Sequence, residues 1–223
     1  YALNDRWEHA TLAVVAAGVL DGLDGRIARL LKGASKFGAE LDSLSDFVCF
    51  GVAPPMLLYL WSMQDAGRLG WALVMLFTIC CGLRLARFNV ALEDRDAPVW
   101  KSRFFTGVPA PAAAGLVLLP MVLSFQLGDR FFRDPWVVGA FLVGVAALMV
   151  STIPTYSFKK LKIGTRWILP TMLITGAVTV FLISAPWMAL SAIGFFYLAL
   201  IPVSIRDHRK LLKGEGVGPE PAA

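Results

Sequence analysis

The chain is poor in the side chains that build most soluble catalytic centres. It holds two histidines in 223 residues, and His9 and His208 lie at opposite ends, so a histidine-based metal site is not expected. Its three cysteines, Cys49, Cys80 and Cys81, fall inside apolar runs and read as small buried hydrophobes, not as a disulfide or a metal set. Charged residues make up only 17% of the chain and are sparse over long runs. The stacked aromatics and basic stripe of a nucleic-acid groove are missing, so the net charge of +5 reads as loop charge. No internal repeat or soluble domain is evident, and no signal-peptide pattern precedes the first apolar run. What is abundant is apolar surface: 57% hydrophobic residues and a mean hydropathy of +0.66, above the range of soluble domains. The chain reads as a polytopic membrane protein.

The predicted fold is an all-α transmembrane helix bundle. Seven spans are expected, over residues 7–31, 38–61, 69–88, 106–126, 136–153, 167–184 and 187–205. Prolines open the fourth span, where a missing N–H is tolerated, and Pro54-Pro55 interrupts the second. Residues 1–205 form the membrane domain, and 206–223 a cytoplasmic tail expected to be disordered past Gly214. Trp7, Trp61, Trp136, Trp167 and Trp187 lie near span ends, as an interfacial belt requires. Of the 21 Lys and Arg residues, only Arg6, Arg68, Arg130 and Arg133 fall on one side of the membrane. The positive side is the cytoplasmic one, and it is the side on which the most unusual stretch of the chain lies.

That stretch runs from Asp21 to Asp46. Ionisable groups in apolar helices are costly unless paired or bound, so their default reading is functional. Asp21 and Asp24 are three apart and Asp42 and Asp46 four apart, each spacing putting two side chains on one helix face. Two helices meeting there would gather four carboxylates, which a bound cation would hold together. Oxygen ligands select Mg²⁺, Mn²⁺ or Ca²⁺ over zinc. Gly25, Ala28 and Gly38 lack bulk, so a backbone or a phosphate can come close. The plainer reading, four solvated surface aspartates, fits neither the spacing nor the apolar flanks.

Asp21-x-x-Asp24-Gly25-x-x-Ala28-Arg29, then Gly38, Asp42 and Asp46, resembles the signature of the CDP-alcohol phosphatidyltransferases at every fixed position. The resemblance implies that Asp21, Asp24, Asp42 and Asp46 hold Mg²⁺ or Mn²⁺, two ions in all, and that Asp46 is the catalytic base on the incoming hydroxyl. It implies that Gly25 gives the nucleotide room, that Arg29 pairs with pyrophosphate and that Ser35 bonds the CDP moiety. Arg29 read alone could be a topology-setting cation, and Ser35 an ordinary turn residue. Family members carry a further helix before the equivalent of Tyr1, which would make eight spans, and the family suggests a homodimer. The implied setting is a bacterial inner membrane, with the site facing the cytoplasm.

Three further segments narrow the resemblance to the family's membrane-embedded members that act on serine. They are Phe37 to Pro54, Leu83-Arg84-Leu-Ala-Arg87-Phe-Asn89, and Phe105 to Ala114, and with them the likeness covers about residues 8–160. The implied substrates are CDP-diacylglycerol and L-serine, with CMP and phosphatidylserine as products. Arg84 and Arg87 share a helix face and are candidate clamps for the serine carboxylate, with Asn89 for its amine or hydroxyl; equally, both arginines could simply anchor the helix end. Lys159 and Lys160 read as a solvated basic loop that attracts anionic lipid, and Gly107, Pro109 and Pro111 as shaping the start of the fourth span. Glu40 is an extra carboxylate without an assigned role. Two alternatives stand beside the serine reading. One is the same chemistry on glycerol 3-phosphate, an inositol phosphate or choline, mostly acceptors that call for a denser basic pocket. The other is a cation transporter, which would place carboxylates near mid-membrane on several spans.

Overall fold

The computed structural model describes residues 2–30, 36–93, 104–156 and 168–215. Each expected span is helical, and the chain is an all-α polytopic membrane protein. Helix α1 (Trp7–Leu30) carries Asp21 and Asp24 towards its C-terminal end. The second rod joins α2 (Lys36–Asp46), a π-helical turn (Phe47–Val52) and α3 (Ala53–Trp61). The third is α4 (Gly67–Glu93). The fourth is α5 (Ala110–Val117) followed by α6 (Leu119–Leu127), and a single turn, α7 (Asp129–Phe132), leads to α8 (Pro135–Val150). Helices α9 (Ile168–Ser184) and α10 (Pro186–Glu215) complete the bundle.

Helix α4 packs most extensively on α8, and the fully buried Val74, Phe77, Leu58, Val138, Leu142 and Met149 form the centre of the core. Between helices in lipid, small residues allow the close approach that dispersion needs. Gly139 provides it here: a Cβ on it would lie 3.2 Å from Leu73 Cδ1. Helix α9 packs against α10 and turns Met172, Ile174 and Ile183 outwards, Ile183 being 77% exposed, as a lipid-facing helix does.

Three departures from straight helices have identifiable causes. Pro54 and Pro55 lack the N–H groups that would bond Phe50 and Gly51 four residues back. The rod widens instead into a π turn, in which Ala53 N–H reaches the Val48 carbonyl. The Thr78 hydroxyl, shared with Val74 O at 3.1 Å, donates to the orphaned Gly51 carbonyl at 2.9 Å. In the fourth rod Pro120 cannot donate to Leu116, and the helix breaks at Leu118 (φ −80°, ψ −6°). At its other end the expected helical start is a short ribbon. Strand β1 (Phe104–Thr106) pairs antiparallel with β2 (Pro154–Tyr156), Phe104 opposite Tyr156 and Thr106 opposite Pro154. Gly107, at φ +79°, then turns the chain into α5 and donates its N–H to Ile153 O at 2.9 Å. A Cβ there would collide with the Met149 carbonyl and lie 3.0 Å from that of Ser151, so this glycine is a packing requirement at the end of α8.

The seventh helix does not stop at Ile205. It holds Pro202 within it and continues to Glu215, so the segment expected as a tail begins as helix. Residues 216–223 lie outside the described residues.

Candidate active site

The contact that builds the site is between α1 and the second rod. Gly18 has no side chain because Phe50 occupies its place: a Cβ on Gly18 would lie 2.9 Å from Phe50 Cε1. One turn further along α1 is Asp21, and one turn back along α2 is Asp46. The two rods run in opposite directions, so this register brings the two carboxyl groups together. The Asp21 and Asp46 side chains come within interaction range of each other, with Asp42 and Arg84 in electrostatic range of Asp46. One oxygen of Asp21 is buried with no hydrogen-bond partner among the described residues. Carboxyl groups in contact need a shared proton or a cation between them, and an orphaned buried oxygen beside them fits a hard cation better than a packing contact.

The structure bears unequally on the predicted residues. Asp21 and Asp46 come together, with Asp42 in electrostatic range of Asp46. Asp24, Gly25 and Arg29 lie on the helical backbone of α1, but their side chains fall outside the described residues, as does Ser35 altogether. Among the described residues, no three His, Cys, Asp or Glu side chains are grouped to hold a metal ion. The carboxylates described there without Asp24 are the Asp21–Asp46 pair, with Asp42 nearby. Glu40 is exposed. Lys159 and Lys160 lie outside the described residues.

Arg84, Arg87 and Asn89 separate from one another. Arg84 is 7% exposed, stacks its guanidinium 5.5 Å from the Phe88 ring centre and lies in electrostatic contact with Asp46. Arg87 is exposed and donates to the carbonyls of Val150 at 3.1 Å and Ser151 at 3.5 Å, capping the C-terminus of α8. Asn89 Nδ2 donates to Ser43 Oγ at 3.0 Å, tying the end of α4 to α2 beside Asp42. Close packing sets the distance between these rods: a Cβ on Gly51 would lie 3.0 Å from Cys81 Sγ, and one on Gly82 3.2 Å from Phe47 Cε2. Cys81 is one turn before Arg84, and Phe47 follows Asp46 directly. The same contact therefore seats Arg84 against the carboxylates.

An apolar groove of about 280 Å³ opens on the other side of the Gly18–Phe50 contact, between α1, the α5–α6 rod and α10. Val15, Gly18, Phe50, Leu116, Ile193 and Tyr197 are among its walls. The arrangement offers oxygen ligands for a hard cation, a buried guanidinium for an anion and, one helical turn away, an apolar slot. Sequence reasoning missed Ser43 and Tyr197. Ser43 had a signal, its place beside Asp42, whereas Tyr197 had only a phenol set in an apolar span.

Residues 1–153 match the family described as CDP-alcohol phosphatidyltransferase, and residues 166–202 match CDP-alcohol phosphatidyltransferase 2. A CDP-diacylglycerol–serine O-phosphatidyltransferase of Mycobacterium tuberculosis (strain H37Rv) is 34% identical over 211 residues, covering 95% of this chain and 73% of that protein. The protein of the same name from Helicobacter pylori (strain 26695) is 41% identical over 162 residues, covering 73% of this chain and 66% of its own. The one from Saccharomyces cerevisiae is 40% identical over 114 residues, covering 50% of this chain and 40% of its own. The family match spans the carboxylates of both helices, Arg84 and the groove walls on α1, α5 and α6, and with it the chain belongs to the CDP-alcohol phosphatidyltransferase family.

Proposed function

We infer that the chain transfers the phosphatidyl group of CDP-diacylglycerol to the hydroxyl of L-serine, releasing CMP and forming phosphatidylserine. The observation that carries this reading is the meeting of Asp21 with Asp46 beside buried Arg84, one turn from an apolar groove. A substrate that is half lipid and half pyrophosphate needs both halves of that arrangement. The relatives named above support the donor and the acceptor.

In the reaction the serine oxygen attacks the β-phosphorus, the bond from that phosphorus to the CMP oxygen breaks, and the hydroxyl proton passes to Asp46. The family generally depends on divalent metal ions. Asp21, Asp24, Asp42 and Asp46 would hold Mg²⁺ or Mn²⁺, two ions in this reading, which stabilise charge on the pyrophosphate when bound. Gly25, Arg29 and Ser35 serve the CDP moiety, the arginine through charge-assisted bonds to phosphate. The groove takes part of an acyl chain and fixes the lipid's depth. Arg84 receives the serine carboxylate; Arg87 and Asn89, which bond α8 and Ser43, hold the scaffold around it. The excess of Lys and Arg on the aspartate side supports a cytoplasmic opening. The bacterial relatives support an inner membrane, and a homodimer is the assembly this reading adopts.

Membranes containing the full chain, supplied with CDP-diacylglycerol and Mg²⁺ or Mn²⁺, should release CMP with serine. Release only with glycerol 3-phosphate, an inositol phosphate or choline would move the acceptor. No release with any acceptor would remove the transferase reading. Arg84→Ala should raise the serine KM at least about tenfold, the scale of one lost charge-assisted contact. Arg87→Ala should leave that KM within about twofold and lower the melting temperature instead, because a cap on α8 is lost. The reverse pattern would exchange the two roles.

A further inference from the structure

We propose that Thr78 of α4 is a positioning residue for the transfer: its hydroxyl holds the π turn of the second rod, and that turn sets the direction in which Asp46 faces. This rests on the transferase reading above. Asp46 stands directly before the turn, still in right-handed helical conformation (φ −51°, ψ −46°). A π turn holds one residue more than an α turn, so it shifts the phase of what precedes it by about 100° against an unbroken α-helix. The turn therefore decides which way Asp46, and Asp42 one turn further back, point relative to α3.

Packing clamps the turn from two sides. Phe50 fills the space beside Gly18 of α1, while Phe47 lies against Gly82 and Gly51 against Cys81 of α4. These contacts leave the carbonyl of the buried Gly51 without a backbone donor, since Pro54 and Pro55 have no N–H to give. Thr78 Oγ1 lies 2.9 Å from that carbonyl oxygen and donates to it. The hydroxyl has one proton, and its other acceptor, Val74 O at 3.1 Å, lies in the α4 ladder, where a backbone N–H serves it. Thr78 has little freedom to move away, because Val74, Phe77 and Cys81 around it on α4 are fully buried. An unanswered carbonyl in apolar surroundings is costly, so without this hydroxyl the π turn gives way to geometries that re-pair the oxygen.

Thr78→Val keeps the branched shape and removes the proton. In the purified full chain it should lower kcat at least about tenfold and raise the Kd for Mn²⁺, read from the EPR signal of the free ion, by about tenfold. The serine KM should stay within about twofold, because Arg84 stands on α4 itself. Thr78→Ser keeps the hydroxyl and should return kcat and the Mn²⁺ Kd to within about twofold of wild type. Pro54→Ala combined with Pro55→Ala supplies the missing N–H groups and lets the rod close into an α-helix. That chain should keep or raise its melting temperature yet lose kcat and Mn²⁺ affinity as Thr78→Val does, a combination that a purely structural role does not give. An unchanged Mn²⁺ Kd in Thr78→Val overturns the proposal, whether or not the melting temperature falls, and so does full activity in the double proline variant. Wild-type chain that releases no CMP with any acceptor removes the transferase reading, and Mn²⁺ affinity then decides alone. Weakened binding in Thr78→Val that returns in Thr78→Ser supports the positioning role, and unchanged binding overturns it.

Discussion

Asp46→Asn should lower the rate of CMP release about thousandfold or more, within the range of a lost general base, while the protein keeps its helical content and its melting temperature. The amide has the size and polarity of the carboxyl group but cannot accept the hydroxyl proton. In the wild-type chain Asp46 lies within interaction range of Asp21, with Asp42 in electrostatic range. Removing one negative charge from such a group relieves repulsion, so the folded state should lose nothing and can gain. Asp21→Asn is the control that separates base from ligand. One of its oxygens is buried without a hydrogen-bond partner among the described residues, which suits a position on a cation. Activity lost in Asp21→Asn should return in part as Mn²⁺ is raised, whereas that lost in Asp46→Asn should not. Recovery of the Asp46 variant at high Mn²⁺ would leave Asp46 a metal ligand alone and send the base elsewhere.

What could be read from the chain without coordinates was what depends on local spacing. Asp21 with Asp24, and Asp42 with Asp46, fall on single helix faces because of the helical period. The order of the spans follows from where apolar runs start and stop. What could not be read depends on partners distant in sequence. Arg84 and Arg87 are alike as letters, three apart on one helix. One is buried beside Asp46 because α4 approaches the second rod at Gly51 and Gly82, and the other reaches the last carbonyls of α8. The π turn is another instance: Pro54 and Pro55 announce lost hydrogen bonds, but the donor that answers at Gly51 is Thr78, on a different helix. The short ribbon between Phe104–Thr106 and Pro154–Tyr156 likewise joins segments far apart in the chain, and three-residue strands carry no periodic signal. The same limit hid Tyr197, whose meaning comes from what α10 is packed against.

The register of the two rods has a direct test in Gly18→Val, which should reduce turnover about a hundredfold, the cost of misplacing reacting groups by about 1 Å. The glycine's first missing carbon would already lie 2.9 Å from Phe50 Cε1, and valine adds two more. Phe50 is 5% exposed, and Gly51, next to it, is in close contact with Cys81, so the ring has little room to retreat. The strain is then relieved by moving α1 away from α2, and Asp21 moves with it, one turn from the point of contact. Overpacking of this kind also destabilises by about 1–3 kcal/mol. Lost activity through unfolding must therefore be told apart from lost alignment, and Phe50→Leu does so. Placed in the Gly18→Val chain, the smaller side chain reopens the space and should restore turnover to within about tenfold of wild type, a coupling expected only of residues in contact. If the two substitutions instead multiply their losses, Asp21 is not held in place by this contact. The meeting of the carboxylates would then have to be set by contacts other than Gly18–Phe50.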